Sequence, residues 1–219
     1  MPQERIYKNI NLQVLKIIMT YSDIKIITAS PDDFEINRNE LAQRLRCDRN
    51  SQIVLPESCT AAFNSAVRYK CAYIRTSVEL NEYICDFGFM KIPSRDLYRN
   101  LTGCSEAFVM AFTTGIAVDR LLARLNITSQ AEHFITDALS SAAIESFCDY
   151  ACRIIRENTG CVPRFSPGYG DLDITFQEPL LSRLSARETL GITLNSAFLM
   201  TPVKSITAIM GIKKQEGRT

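Results

Sequence analysis

Apolar residues recur at helical spacing in two stretches of the N-terminal third, LQVLKIIMTY (12–21) and NELAQRLRC (39–47), with a polar connection between them. The period then shortens. SQIVLP (51–56), SAVRYKCAYIRTSVEL (65–80) and EYICDFGFMKI (82–92) are runs rich in Val, Ile, Tyr and Phe, and they predict strands. In PSRDLYRNL (93–101) Ser94 stands at an N-cap position with Asp96 in the first turn, where the helix dipole favours an acid; this helix is expected to stop near Gly103. EAFVMAFTTG (106–115) reads as a buried strand entering a turn at its glycine, and IAVDRLLARL (116–125) as the helix after it.

The longest helical pattern runs from Gln130 to Asn158, where Phe134, Ala138, Ser141, Glu145, Cys148, Cys152 and Ile155 fall at steps of three and four along one stripe. LLSRLSARETLG (180–191) predicts short helical turns closed by Gly191 as a C-terminal cap. ITLNSAFLMTPVKSITAIMGI (192–212) breaks at Thr201-Pro202 into two strand-like halves, because a proline inside a central strand removes a ladder bond. Strands, then helices, then strands, without regular alternation, predict an α+β fold. We expect a single domain over residues 1–219, with a twisted, largely antiparallel sheet and flanking helices, and a loose tail at 213–219.

Charge and composition narrow the function. With 25 Lys plus Arg against 24 Asp plus Glu, no field of one sign advertises nucleic acid or an acidic membrane surface. The start MPQERIYKNI lacks the apolar core of a secretory signal, and no apolar run approaches the ~20 residues of a membrane helix, so a cytoplasmic protein is expected. Eight cysteines contain no CxxC pair, which argues against zinc ribbons and thioredoxin-like centres; most are expected to be reduced, buried small hydrophobes, and no metal site is expected. The single histidine, His133, excludes sites built on several imidazoles and has no nucleophile motif near it. Neither GxGxxG nor GxxxxGK[ST] occurs, so the usual phosphate-cradling loops are absent.

Two places carry candidate chemistry. Glu145 is the one carboxylate on an otherwise apolar stripe, and it requires a partner: either a structural salt bridge with an arginine or a ligand. The segment RFSPGYGD (164–171) combines the rigid donor fork of Arg164, which matches a carboxylate or phosphate, with a bend at Pro167-Gly168 that lets backbone around Ser166 approach a ligand, and the phenol of Tyr169. That set suits an amino-acid nucleotide such as S-adenosylmethionine, but the loop alone favours a surface turn with a salt-bridged Arg164, and its context has to carry the ligand reading.

The order of these motifs resembles the C-terminal activation domain of cobalamin-dependent methionine synthase, and more closely the free-standing reactivation proteins that accompany synthases lacking that domain. The family has an arginine, two residues and then Pro-Gly-Tyr in its S-adenosylmethionine loop, here Arg164, Pro167, Gly168 and Tyr169. LSARETLGITLNSAFLMTPVKSITAI (184–209) resembles the stretch after that loop, including Gly191, Ser196, Met200, Pro202 and Ser205. AFVMAFTTG and ALSSAAIESFCDYACRII resemble the family's apolar strand and long helix, with Glu145 on its active-site glutamate. The matched part spans 107–212, and residues 1–106 match weakly.

The resemblance implies a cofactor, S-adenosylmethionine, bound by Arg164, Ser166, Pro167, Gly168 and Tyr169 with Glu145 in a catalytic, orienting role. It implies a second cofactor, cobalamin, carried by a partner: the methionine synthase core or another corrinoid protein, served by an electron donor such as flavodoxin. The chain would be an accessory subunit of a methyltransferase rather than an independent enzyme, supporting reductive methylation of cob(II)alamin. The alternative is a non-catalytic docking subunit of another corrinoid methyltransferase system that no longer binds S-adenosylmethionine. A third is a small stand-alone methyltransferase acting on a different acceptor. The family's tyrosine-bearing segment past the last strand and its N-terminal ligand-holding acid have no recognisable counterpart before Thr219, so the resemblance implies an affinity for S-adenosylmethionine that is either weak or completed by the partner protein.

Overall fold

The computed structural model describes residues 23–48, 52–156 and 159–213; the helix expected at 12–21 and the tail beyond Lys213 lie outside them. In chain order the elements are β1 (Lys25–Ala29), α1 (Arg38–Leu45), α2 (Glu57–Ala66), β2 (Tyr69–Ser77), β3 (Glu79–Asn81), β4 (Ile84–Asp86), β5 (Lys91–Pro93) and α3 (Arg95–Leu101). They continue with β6 (Cys104–Thr113), α4 (Ile116–Thr128), α5 (Gln130–Ile155), α6 (Gln177–Arg183), α7 (Ala186–Leu190), β7 (Thr193–Leu194), β8 (Met200–Thr201) and β9 (Ser205–Lys213). Short 3-10 turns sit at Pro31–Asp33 and Ile174–Phe176.

The main sheet has the order β1-β2-β6-β9, and every pair in it is antiparallel. The fold is α+β, as the order of periods predicts. Side chains on a strand alternate between faces, and β6 uses both. Phe108, Met110 and Phe112 point into one core with Phe63, Leu122, Leu139 and Phe147, supplied by α2, α4 and α5. Ala107, Val109 and Ala111 point into a second core with Ile92, Leu97, Leu180, Leu184 and Leu190, from the β3-β4-β5 meander, α3, α6 and α7. An antiparallel sheet covered on both faces explains why EAFVMAFT is apolar throughout instead of alternating.

Local signals account for the boundaries. Ser94 caps α3, its Oγ accepting from the Leu97 amide at 3.0 Å. Ser129 caps α5 by accepting from the Glu132 amide, in a Ser-x-x-Glu arrangement. Gly191 closes α7 at φ 71°, in the left-handed region that glycine enters without a Cβ clash. The segment expected as a strand at 51–56 differs: Gln52–Pro56 form no strand and lead into α2, whose first turn follows Pro56. Proline pre-sets φ for a helix start and cannot serve a ladder, so Pro56 is a start signal rather than a strand end. The first half of 192–212 also folds more tightly than expected, into the two-stranded β7-β8 turn around Asn195–Leu199.

Candidate functional site

The loop after α5 reaches its position by borrowing the free edge of β9. Val162 N–H donates to Gly211 O at 3.0 Å, and Phe165 and Ile209 exchange both backbone bonds at 2.8 Å, so residues 161–165 run antiparallel beside the edge strand. Arg164 is thereby carried toward the face where α5 packs, and the bend that follows is left at the Ser205 end of β9. Further on, Asp171 ties the loop to α3. Its carboxylate accepts from Ser94 Oγ at 2.5 Å and from the Arg95 and Asp96 amides at 2.8 and 3.2 Å. The Ser94 hydroxyl and these amides hold its pKa below the ordinary 3.8.

Between these two anchors is a cavity of about 440 Å³, lined by Glu145, Arg164, Phe165, Ser166, Pro167, Tyr169, Gln177, Met200, Ser205, Ile206 and Thr207. That volume suits a nucleoside-sized ligand. Size does not single it out, because a recess of about 540 Å³ at Phe34, Tyr69 and Leu139 is larger. The convergence of residue types does. Five of the six residues expected at the site, from a helix and a loop nineteen or more positions apart, lie on one wall system. The sixth, Gly168, is not on the wall. Its amide donates to Leu172 O at 2.8 Å, and at φ 90° it makes the bend, where a Cβ would meet Ile174 Cδ1 at 3.0 Å. Tyr169 stands at the mouth, 67% exposed.

The carboxylate and the cation that the sequence presents separately are partners. Arg164 Nη2 donates to Glu145 Oε2 at 2.6 Å, with the side chains 23% and 31% exposed. Arg164 Nη1 is bonded to Asp149 one helical turn further along. Desolvation works against the charged guanidinium, but the Asp149 and Glu145 carboxylates beside it hold its pKa above the ordinary arginine value. Burial pushes the Cys148 and Cys152 thiols beneath it upward, so both stay neutral. Glu145 therefore sits at the rim of the helix's buried face and not in the core. The centre of that face is Leu139, Ala142, Ala143 and Phe147, while Phe134, placed on the same stripe from its spacing, is exposed.

Asp149 had a sequence signal. It continues the four-residue steps Asp137, Ser141, Glu145, Asp149 along one line of α5. Gln177 had none: an amide in the first turn of a short helix is unremarkable, yet it is 4% exposed, donates to Phe198 O at 2.9 Å and faces Thr207 Oγ1 at 3.4 Å. Beside it Ser205 Oγ donates to Thr113 Oγ1 at 3.0 Å, so the floor of the cavity is a row of partnered hydroxyls. Among the described residues there is no group of His, Cys, Asp and Glu able to hold a metal, and no helix long and apolar enough to cross a membrane. All eight cysteines are free thiols, six of them buried.

No family model matches the sequence, and no curated protein is significantly similar to it. Among solved structures, the MetH reactivation domain bound to AdoHcy matches with a TM-score of 0.65 at 13% identity, covering 90% of this chain and 80% of that one. The fold is that of the reactivation domain. The likeness extends beyond 107–212 into the N-terminal part, where the sequence resemblance is weak, because it is carried by the shared sheet and its covering helices rather than by residue identity.

Proposed function

We propose that this chain is a reactivation subunit for cobalamin-dependent methionine synthase, binding S-adenosylmethionine in the Glu145–Arg164 cavity and supporting reductive methylation of cob(II)alamin on a partner protein. One observation carries the reading: Glu145, Arg164, Ser166, Pro167 and Tyr169 converge on a single 440 Å³ cavity in a chain with the fold of a domain solved with AdoHcy. The partner's corrinoid is the substrate, and a flavodoxin-type donor supplies the electron. The work left to this chain is positioning, which is where proteins contribute when the reacting centres belong to cofactor and substrate.

In this reading the backbone at Ser166 and Pro167 meets the adenosyl end, Tyr169 forms the edge that faces the partner, and Gly168 shapes the bend. Arg164 holds Glu145 against the ligand and turns its remaining N–H groups to it, since a guanidinium has five donors. A synthase core lacking its own activation domain is the assay: with this chain, S-adenosylmethionine and reduced flavodoxin it should regain activity. Activity that does not depend on added chain removes the proposal.

A second reading is favoured by one feature. Both terminal nitrogens of Arg164 are already bonded to protein carboxylates, as they would be in a docking subunit that no longer binds S-adenosylmethionine. Calorimetry with S-adenosylmethionine, with and without a corrinoid partner, separates the two: heat in neither titration selects the docking subunit.

A further inference from the structure

Beside the cavity the four-residue spacing of α5 sets two acids, Glu145 and Asp149, against one arginine. Glu145 and Asp149 both lie over Arg164, giving two formal negative charges against one positive. Glu145 and Arg164 are the charged side chains among the described residues lining the cavity, and Asp149 adds its charge from behind Arg164, outside the lining. Lys204, next to Ser205 at the start of β9, is committed elsewhere: its Nζ pairs with Asp137 at 2.7 Å and donates to Ser141 Oγ at 2.8 Å. Asp119, whose Oδ2 accepts from the Val203 amide at 2.8 Å, adds no positive charge there. The Glu145–Arg164–Asp149 cluster beside the cavity thus carries a net charge of −1, and at its partly desolvated Glu145–Arg164 end a ligand's formal charge is felt more strongly than in water.

Resting on the S-adenosylmethionine reading above, we infer that this site selects its ligand by charge, taking the sulfonium in preference to the neutral thioether, with Asp149 as a specificity-determining residue. S-adenosylmethionine carries a sulfonium, an ammonium and a carboxylate, a net +1; S-adenosylhomocysteine lacks the sulfonium charge and is net neutral. In methyl transfer the sulfur–methyl bond breaks with its electron pair retained by sulfur, and the cobalt–methyl bond forms from the electron pair of cob(I)alamin. The positive charge that held the ligand disappears in that step. The acidic cluster then has nothing to neutralise, and the product is released from the same contacts that captured the reactant. Glu145 lines the wall itself, whereas Asp149 is 63% exposed and acts through Arg164 and through space, so it tunes the charge without shaping the cavity.

The test is calorimetry on the full chain with S-adenosylmethionine, S-adenosylhomocysteine and sinefungin, which has an ammonium where the sulfonium stands. Both cationic ligands should bind about tenfold more tightly than S-adenosylhomocysteine at low salt, the size of one charge pair at intermediate dielectric. The preference should shrink as ionic strength rises, and Asp149→Asn should reduce it to about threefold while circular dichroism stays unchanged. Equal affinities for all three, or a ratio that Asp149→Asn and salt leave untouched, overturn the charge selection while leaving a nucleoside site in place. Binding of none of them overturns the site itself and the inference with it.

Discussion

Arg164 and Glu145, nineteen residues apart, meet at 2.6 Å, and Asp149 completes the guanidinium from the next turn of the same helix. The pair joins the loop to α5 and forms part of one wall of the cavity, so one contact both anchors the loop and lines the cavity. Arg164→Ala leaves two carboxylates facing each other in a partly desolvated place. We expect a loss of about 1–3 kcal/mol, between the values for exposed and buried pairs, and no reactivation. Glu145→Gln keeps an acceptor for Arg164, and should cost no more than ~1 kcal/mol while reactivation falls severalfold. Urea titrations beside the reactivation assay read both. Unfolding of Glu145→Gln with full activity per folded molecule would reduce the pair to a structural bridge.

The attachment of the loop to α3 depends on pH. Asp171 is stabilised as a carboxylate by Ser94 and two backbone amides, so its folded-state pKa lies below the ordinary 3.8. A depressed acid contributes stability that is complete above the unfolded-state value and lost as pH falls through the folded one. The contribution should therefore be full above about pH 5 and fade below 3.8. Asp171→Asn should flatten the acid limb of a Tm-against-pH profile in that window and weaken ligand binding at neutral pH. An unchanged acid limb would show that the three contacts hold nothing in solution.

Much of the architecture was readable because it obeys local rules. The strand at 104–113, the helix at 130–155, the Ser94 cap and the Gly191 cap each follow from period or capping chemistry that a single sequence displays. The helix at 57–66 was missed because Gln52–Pro56 is rich in strand-favouring residues and only Pro56 marks the change. The site was half readable. Arg164 and Glu145 each look unusual alone, but nothing local shows that they face one another, since their meeting depends on the loop pairing with β9. Gln177 was invisible, because its burial is decided by Phe198 and Thr207, more than twenty residues away.

Gly211 tests that edge pairing from the opposite side. A Cβ there would come within 2.6 Å of Leu101 Cδ2 and 2.7 Å of Cys104 Sγ, with Val162 Cγ2 at 3.1 Å. The strand is close-packed just where the loop begins, so Gly211→Ala should cost about 1–3 kcal/mol by overpacking. Hydrogen exchange should rise at the Val162 and Phe165 amides, which bond to β9. A wild-type melting curve with unchanged exchange would mean that the neighbours yield freely.

Cysteine reactivity reports the same core. Burial holds the Cys71 and Cys148 thiols well above the ordinary value, and Cys85 is pushed up to about 11, so none presents a thiolate at neutral pH. Iodoacetamide on the native chain should label the exposed Cys47 first and the half-buried Cys161 more slowly. The six buried cysteines should react only after denaturation. Rapid native labelling at Cys148 or Cys152 would show that α5 opens beneath Arg164.

The central claim is that the cavity bounded by Glu145 and Arg164 holds an S-adenosylmethionine-type ligand. Ultraviolet cross-linking with methyl-labelled S-adenosylmethionine, followed by tryptic mapping, tests it most directly, because trypsin cuts after Arg164 and isolates Phe165–Arg183 with Tyr169 and Gln177 inside. The account predicts label concentrated in that peptide, competed away by unlabelled ligand and lost in Arg164→Ala. Label spread over other peptides, or label that excess ligand does not displace, would contradict it.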